Sequence, residues 1–378
     1  MGKGWTEGTR PAAVQARRRA ESTAKGRANP HGGRNVQAPL PRFSFYAAVL
    51  PERFLERLAR IVPSDRFDAV VATFGPPRRI GFRLNPLRTV PGETLAALRA
   101  AGLDPQPVDW YAEAFTLDAS ERAALMATDA YATGAVYLQN LSSMVPPLAL
   151  AAETDDQVLD LAAAPGSKTT QLAALLGSDA DIAAVEVVRD RFFRLRANLD
   201  AAGASFVKTF LQDGTKVPRY RPEHFDRVLL DAPCSTEGRF RADEPETFAY
   251  WSERKIREMQ RRQIALLAAA VDSLAVGGTL VYATCSFAPE ENEMVLDRTL
   301  TRFGDALHLE PLPLDVPAAQ PPLGGWNDEP FAHDLSHARR LLPDGTYEAF
   351  FVARLHKTES TVDDTPRRPG RTSRTRRR

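Results

Sequence analysis

The chain has 378 residues, 43% of them hydrophobic, and a formal net charge of +1, enough length for a sizeable core and two or three domains. Two cysteines are too few for a disulfide framework, no apolar run reaches membrane-spanning length, and no secretory h-region lies near the start, so a reducing, cytoplasmic setting without membrane contact is expected. The small net charge hides a segregation: eight Lys/Arg stand against two Glu in residues 1–41 and nine against three acids in 354–378, leaving −11 on the body, and basic arms on an acidic body point to a polyanion such as nucleic acid.

Residues 1–41 are rich in Arg, Gly and Pro and poor in aliphatics, which predicts a disordered basic arm. Phe54, Leu55, Leu58 and Ile61-Val62, then Phe67, Val70, Val71 and Phe74, recur at helical spacing and predict helix over 51–74, interrupted at Pro63-Ser64-Asp65 and ended by Gly75-Pro76-Pro77. Ile80 to Leu84 reads as a strand, Thr94 to Ala101 as a helix closed by Gly102, and Val108 to Leu117 as one or two strands. Together they predict a small α+β domain over 42–128. Residues 134–144, GAVYLQNLSSM, read as a connector into a larger α/β domain over 129–355. From Val158 strands (158–161, 182–187, 205–210, 226–231, 279–284) alternate with helices (168–176, 189–202, 253–275, 290–303), and a terminal strand pair follows near 306–310 and 347–355. This pattern predicts an α/β fold with a Rossmann-like, doubly wound, mostly parallel sheet. Residues 311–346, with seven prolines, are expected to be an irregular insertion, and 356–378 a disordered basic tail.

The chain is organised around residues 158–171, VLDLAAAPGSKTTQ. The apolar run suits a strand covered on both faces. Ala162, Ala163, Ala164 and Gly166 leave room for close backbone approach, Pro165 stiffens the turn, and Ser167 is a plausible N-cap for a helix from Lys168. A turn aimed at a helix N-terminus suits an anionic group, here a carboxylate. It is no P-loop, because the first glycine of that motif is missing.

Ligands of an open parallel sheet bind beyond the carboxyl ends of its strands. Glu186 ends the second strand, positioned for a ribose diol. Asp213 follows the third, placed to meet an adenine amino group. Asp231 ends the fourth and runs into Ala232-Pro233-Cys234-Ser235; Thr284-Cys285-Ser286 ends the fifth. An acid alone at such a place is more often a helix cap or surface carboxylate, whereas successive acids on one edge point to a site. The two cysteines can be buried structural thiols, a redox pair, or a nucleophile with a helper. No C-x-x-C pattern is present, no Cys/His cluster suggests a metal, and the six histidines fall outside the strand-end turns, which argues against a Cys–His hydrolase.

The set LDLAAAPGSKTTQ, LLDAPCS, YATCS and EENE, with RLNPLR at 83–88, Tyr137-Leu138-Gln139-Asn140 and Phe350-Phe351-Val352, resembles the RNA 5-methylcytosine methyltransferases of the Sun (Fmu) family over roughly residues 42–355. Three positions depart from the family pattern. Ala162 replaces its usual cysteine, Gly166-Ser167 its Gly-Gly pair, and Thr236-Glu237-Gly238 its Gly-Thr-Gly. The resemblance implies a class I methyltransferase acting on RNA, rRNA or tRNA, with S-adenosyl-L-methionine held by Ala162 to Lys168, Glu186, Asp213 and Asp231. It implies that Cys285 adds to cytosine carbon 6, that Asp231 offsets charge developing at ring nitrogen 3, and that Cys234 assists release. It makes 42–128 an RNA-binding domain. Arg83, Arg239 and Arg241, with Arg78, Arg79 and Arg88, are candidate phosphate contacts, whereas Arg262 on the long helix is expected to pair with Glu258. The rival expectations are a DNA cytosine methyltransferase attacking through the Pro-Cys cysteine, a ribosome assembly factor on a methyltransferase fold, and a redox or structural α/β protein.

Overall fold

A computed structural model describes residues 48–362. The basic arm expected at 1–41 and residues 363–378 of the expected tail lie outside the described residues, whereas residues 356 and 357, expected in that disordered tail, end a strand of the large sheet with Lys357 fully buried. The first elements are α1 (Glu52–Ile61) and α2 (Phe67–Ala72). The apolar residues that predicted them are buried, and they pack with Phe240 and Phe287 in one cluster, where the Phe54 and Phe240 ring centroids are 4.9 Å apart.

Next come β1 (Arg79–Leu84), α3 (Pro91–Ala100), β2 (Gln106–Val108), β3 (Tyr111–Asp118), α4 (Arg122–Met126), α5 (Asp129–Ala132) and β4 (Val136–Leu138). Helix α3 begins at Pro91, ahead of the expected Thr94, because the fixed φ of proline and its missing N–H suit a first turn. The strands form an antiparallel sheet in the order β2-β3-β1-β4. Residues 136–138 pair with β1, Phe82 facing Leu138. The expected connector at 134–144 is therefore an edge strand running into α6 (Leu141–Leu150), whose N-cap Asn140 accepts from Ser142 N at 2.9 Å.

The large sheet contains β5 (Gln157–Asp160), β6 (Asp181–Glu186), β7 (Lys208–Leu211), β8 (Phe225–Asp231) and β9 (Leu274–Thr284), mutually parallel in the order β7-β6-β5-β8-β9. The order reverses direction around β5, which makes the edge beyond β5 and β8 the topological switch point. Helices α7 (Ser167–Leu176), α8 (Arg189–Ala201), α9 (Glu253–Ser273) and α10 (Glu293–Phe303) cover the faces. Alternation along each strand divides the core. Val158, Ile182, Leu229 and Val281 pack toward α6, α7 and α8. Leu159, Val185, Leu230 and Tyr282 pack toward α9 and α10. Burial on both faces explains why these strands read as unbroken apolar runs.

After β10 (Leu307–Glu310), the segment expected to be irregular carries β11 (Ala319–Gln320), β12 (Gly325–Trp326), β13 (Glu329–Pro330) and β14 (Arg339–Leu341). Strand β14 extends the large sheet through β15 (Phe350–Lys357), which runs antiparallel beside β9 with Phe351 facing Thr284. The prolines confine pairing to short stretches without preventing it. Among the described residues no helix is long and apolar enough to cross a membrane.

Candidate active site

The turn after β5 continues the sheet before it leaves it: Leu161 N donates to Leu229 O and Ala163 N to Val185 O, each at 2.9 Å. Helix α8 then fixes its carbonyls, Arg191 Nη2 donating to Ala164 O at 2.5 Å and Asn198 Nδ2 to Pro165 O at 2.7 Å. The cap of α7 is Gly166, with φ of 109°, and Ser167 is the first helical residue, not the cap the sequence suggested. A Cβ at Gly166 would stand 3.0 Å from Leu195 Cδ1 in a backbone conformation that L residues avoid. The turn borders a cavity of about 790 Å³ lined also by Glu186, Asp213, Asp231, Cys234 and Cys285, within the size range of ligand pockets. Along it, Glu186 is buried and accepts from Val188 N at 2.8 Å. Asp213 accepts from Thr215 N at 3.0 Å, with its outer oxygen 3.9 Å from Lys216.

The deep end of the cavity holds the charge. Lys168, 3% exposed, donates to Asp231 Oδ2 at 2.5 Å and Ser143 Oγ at 2.9 Å, and its ammonium lies 5.1 Å from the Phe350 ring centroid. Asp160 lies under this pair, accepts from Thr169 Oγ1 at 2.7 Å, and is pushed up to about 7, chiefly by burial. The Sγ atoms of Cys234 and Cys285 are 3.3 Å apart. The Cys285 thiol is pushed down, first by the hydrogen bond from Cys234, then by the Arg239 guanidinium and Lys168 ammonium, against burial and Asp231. The Cys234 thiol is pushed well up, because its proton is engaged by Cys285 and its site is buried. The anion of the pair thus belongs on Cys285.

Arg239 reaches this position because its turn is fastened to β9. Gly238 N donates to Cys285 O at 2.9 Å, and a Cβ at Gly238 would stand 2.6 Å from Ala349 O. Arg239 borders both the cavity and a neighbouring groove of about 410 Å³ that includes Arg79, Arg122 and Arg241.

Of the predicted phosphate contacts, Arg79, Arg239 and Arg241 lie on this groove, Arg79 donating to Thr116 Oγ1 at 2.7 Å and Arg241 partly engaged with Asp243 at 3.2 Å. Arg83 does not. It is fully buried, donates to Gln139 Oε1 at 2.9 Å and Thr170 Oγ1 at 2.7 Å, and lies 4.9 Å from the Tyr137 ring centroid. It ties the small sheet to α7 and meets no solvent. Arg88 is likewise structural, donating to Asp200 O and Ala201 O at the end of α8. Arg262 pairs with Glu258 at 3.1 Å, and both border the cavity.

Sequence reasoning assigned no roles within Glu290-Glu291-Asn292-Glu293, yet each side chain has one. Glu290 accepts from Arg57 at 2.6 Å and Trp326 Nε1 at 3.0 Å. Glu291 accepts from Ser235 N at 2.9 Å and Ser286 Oγ at 2.5 Å. Asn292 accepts from Thr284 Oγ1 at 2.6 Å. Glu293 pairs with buried Arg340 at 2.5 Å. The available signal was a dense acidic run directly behind a strand-end cysteine, where a merely solvated face is not expected.

Two family profiles match the chain. The one described as 16S rRNA methyltransferase RsmB/F covers residues 147–356. The one described as the N-terminal domain of 16S rRNA methyltransferase RsmF covers 50–141. The ribosomal RNA small subunit methyltransferase F of Serratia proteamaculans is 36% identical over 82% of this chain and 64% of its own length, so the chain spans just under two thirds of that relative. A crystal structure of a methyltransferase homolog protein from Pyrococcus horikoshii aligns with a TM-score of 0.70 at 31% identity, covering 82% of this chain and 95% of that one. NSun6 from the same organism, solved with SFG, shares the fold at a TM-score of 0.71 and 21% identity, covering 83% of this chain and 100% of that one.

Proposed function

The chain belongs to the 16S rRNA methyltransferase RsmB/F family, and on that premise we propose that it is an S-adenosylmethionine-dependent RNA cytosine-C5 methyltransferase working in the cytoplasm on a cytosine of rRNA or tRNA. The observation that carries this reading is the pair of sulfurs 3.3 Å apart at the end of the same cavity that the small-residue turn borders. The cavity fits the cofactor: a turn of small residues at a helix N-terminus suits its carboxylate, and Glu186 and Asp213 offer acceptors for its ribose and adenine. When bound, S-adenosylmethionine supplies the electrophilic methyl group.

Carbon 5 of cytosine is a poor nucleophile until a sulfur adds at carbon 6. Cys285 makes that bond, its anion favoured by Arg239 and Lys168, whereas an ordinary thiol is only a few per cent ionised at neutral pH. The electron pair displaced from the ring builds charge toward nitrogen 3. The Lys168–Asp231 pair, with the ammonium donating to Asp231 Oδ2 at 2.5 Å, is the partner for that atom. After transfer, a base takes the carbon 5 proton, the freed electron pair restores the double bond between carbons 5 and 6, and the sulfur–carbon bond breaks to return Cys285 as a thiolate. The S–H of Cys234, whose sulfur lies 3.3 Å from that of Cys285, stabilises the departing thiolate. The groove at Arg79, Arg122, Arg239 and Arg241 is the phosphate path toward the cavity, and a base taken from a loop leaves its stack most cheaply.

Bisulfite sequencing of rRNA and tRNA from cells with and without the gene tests the reaction. Loss of one or a few methylated cytosines is expected, and identical maps would refute the activity. In vitro, Cys285→Ala should abolish methyl transfer with cofactor affinity within ~3-fold of the parent. Retained turnover would remove Cys285 as the attacking residue.

A further inference from the structure

Glu291 takes part in no step above, yet it is fully buried and touches both cysteine turns. Its Oε1 accepts from Ser235 N at 2.9 Å and Gln263 Nε2 at 3.1 Å, and its Oε2 accepts from Ser286 Oγ at 2.5 Å and from Ser235 Oγ. Ser235 directly follows Cys234 and Ser286 directly follows Cys285, and the two hydroxyl oxygens are 3.1 Å apart. One carboxyl therefore holds the residue just past each thiol, Ser235 by its backbone N–H and hydroxyl and Ser286 by its hydroxyl. Glu237 approaches from the other side, 3.1 Å from Ser286 Oγ and accepting from Phe287 N at 3.0 Å.

A hydroxyl has one proton to give. The oxygens of Ser235, Ser286, Glu237 and Glu291 make four close contacts with only two hydroxyl protons among them. Two buried acids, Glu237 and Glu291, meet at Ser286 Oγ, and each makes the charged form of the other less favourable. Burial, then Glu237, pushes Glu291 up to about 7, and the charge of Glu291 in turn adds to the upward push on Cys234.

We propose that Glu291 is a positioning residue for the thiol pair: by bridging Ser235 and Ser286 it sets the separation of the two sulfurs and so the difference in reactivity between them. Its effect on turnover rests on the cytosine-methylation reading; its effect on the thiols does not.

The test uses the full chain carrying Glu291→Gln, with Ser235→Ala and Ser286→Ala as companions. Circular dichroism and S-adenosylmethionine calorimetry report folding. The deciding readout is the pH midpoint of iodoacetamide alkylation at each cysteine, resolved by peptide mass spectrometry. In the parent the Cys285 midpoint lies below that of Cys234. In Glu291→Gln the gap should narrow by about one pH unit or more, with kcat down at least ~10-fold and KM for RNA within ~3-fold. An unchanged gap in folded Glu291→Gln overturns the proposal. Should that variant not fold, an unchanged gap in both serine variants overturns it, and a narrowed one supports it. A narrowed gap in a protein whose parent methylates no RNA cytosine upholds the positioning role and overturns the functional reading instead.

Discussion

Replacing Gly238 by alanine should separate the chemistry from cofactor binding. The added carbon would stand 2.6 Å from Ala349 O, 2.9 Å from Cys285 O and 3.0 Å from Ala349 Cβ. Carbon and oxygen ordinarily come no closer than ~3.3 Å, and both oxygens belong to backbone held between β9 and β15, so neither can rotate aside. The Thr236–Arg239 turn must retreat, stretching the Gly238 N to Cys285 O bond of 2.9 Å. Overpacking of this kind costs ~1–3 kcal/mol, which in a domain this large lowers Tm by roughly 2–10 °C. The larger effect falls on kcat, because a misplacement approaching an ångström can cost ~10²-fold; a loss of at least ~10-fold is expected. Affinity for S-adenosylmethionine should stay within ~2-fold, since Ala162 to Lys168, Glu186 and Asp213 stand on other elements. Differential scanning fluorimetry, calorimetry and transfer of a labelled methyl group measure the three quantities. Transfer at the parental rate with an unchanged Tm would refute the fastening of Arg239 and Cys285 through this turn.

Cys234→Ala should accumulate a covalent protein–RNA adduct, seen as a slow band on a denaturing gel; normal turnover without that band would exclude Cys234 from release. Arg340→Met strands Glu293, itself fully buried, and should cost ~3–5 kcal/mol by chemical denaturation; adding Glu293→Leu should recover much of it, and no recovery would refute the pairing as the cause. Arg83→Met should lower Tm while leaving the salt dependence of RNA binding unchanged, whereas Arg79→Ala with Arg122→Ala should reduce the slope of log K against log salt by ~1–2; a reduced slope for Arg83→Met would return that residue to the RNA surface. Asp160, held up near 7 when folded and titrating near ~3.9 when unfolded, keeps a proton in the folded chain that the unfolded chain has lost between those values. It therefore makes stability fall as pH rises from ~4 to ~7 and adds no slope above. Asp160→Asn should remove that contribution, seen as a smaller loss of urea-unfolding free energy between about pH 5 and about pH 8; an unaltered slope would refute the raised carboxyl.

The elements legible in the sequence were those whose signal is local. Strand β5 and its turn could be placed from Val158 to Ser167 alone, and α8 and α9 to within two residues, because periodicity and small-residue turns are written in consecutive positions. What escaped notice depends on partners far along the chain. Arg83 resembles a surface arginine until Gln139 and Thr170 close over it. Strand β14 lies in a proline-rich stretch and exists because β15 and the Arg340–Glu293 pair hold it. The acids at the strand ends could be listed beforehand, but the division of charge between the thiols could not, since it depends on Arg239, Lys168 and Asp231 arriving from three different turns.

Strand β15 runs against its parallel neighbours, so it presents its beginning, not its end, to the ligand-facing edge. Phe350 at that beginning stacks over Lys168, and Ala349 presses on Gly238. The Lys168 ammonium and the Gly238 turn are thus backed by some of the last described residues to leave the ribosome. A nascent chain that has already folded β5 through β9 still lacks that backing, and Lys168 and the Gly238 turn cannot reach their final surroundings until synthesis has passed β15.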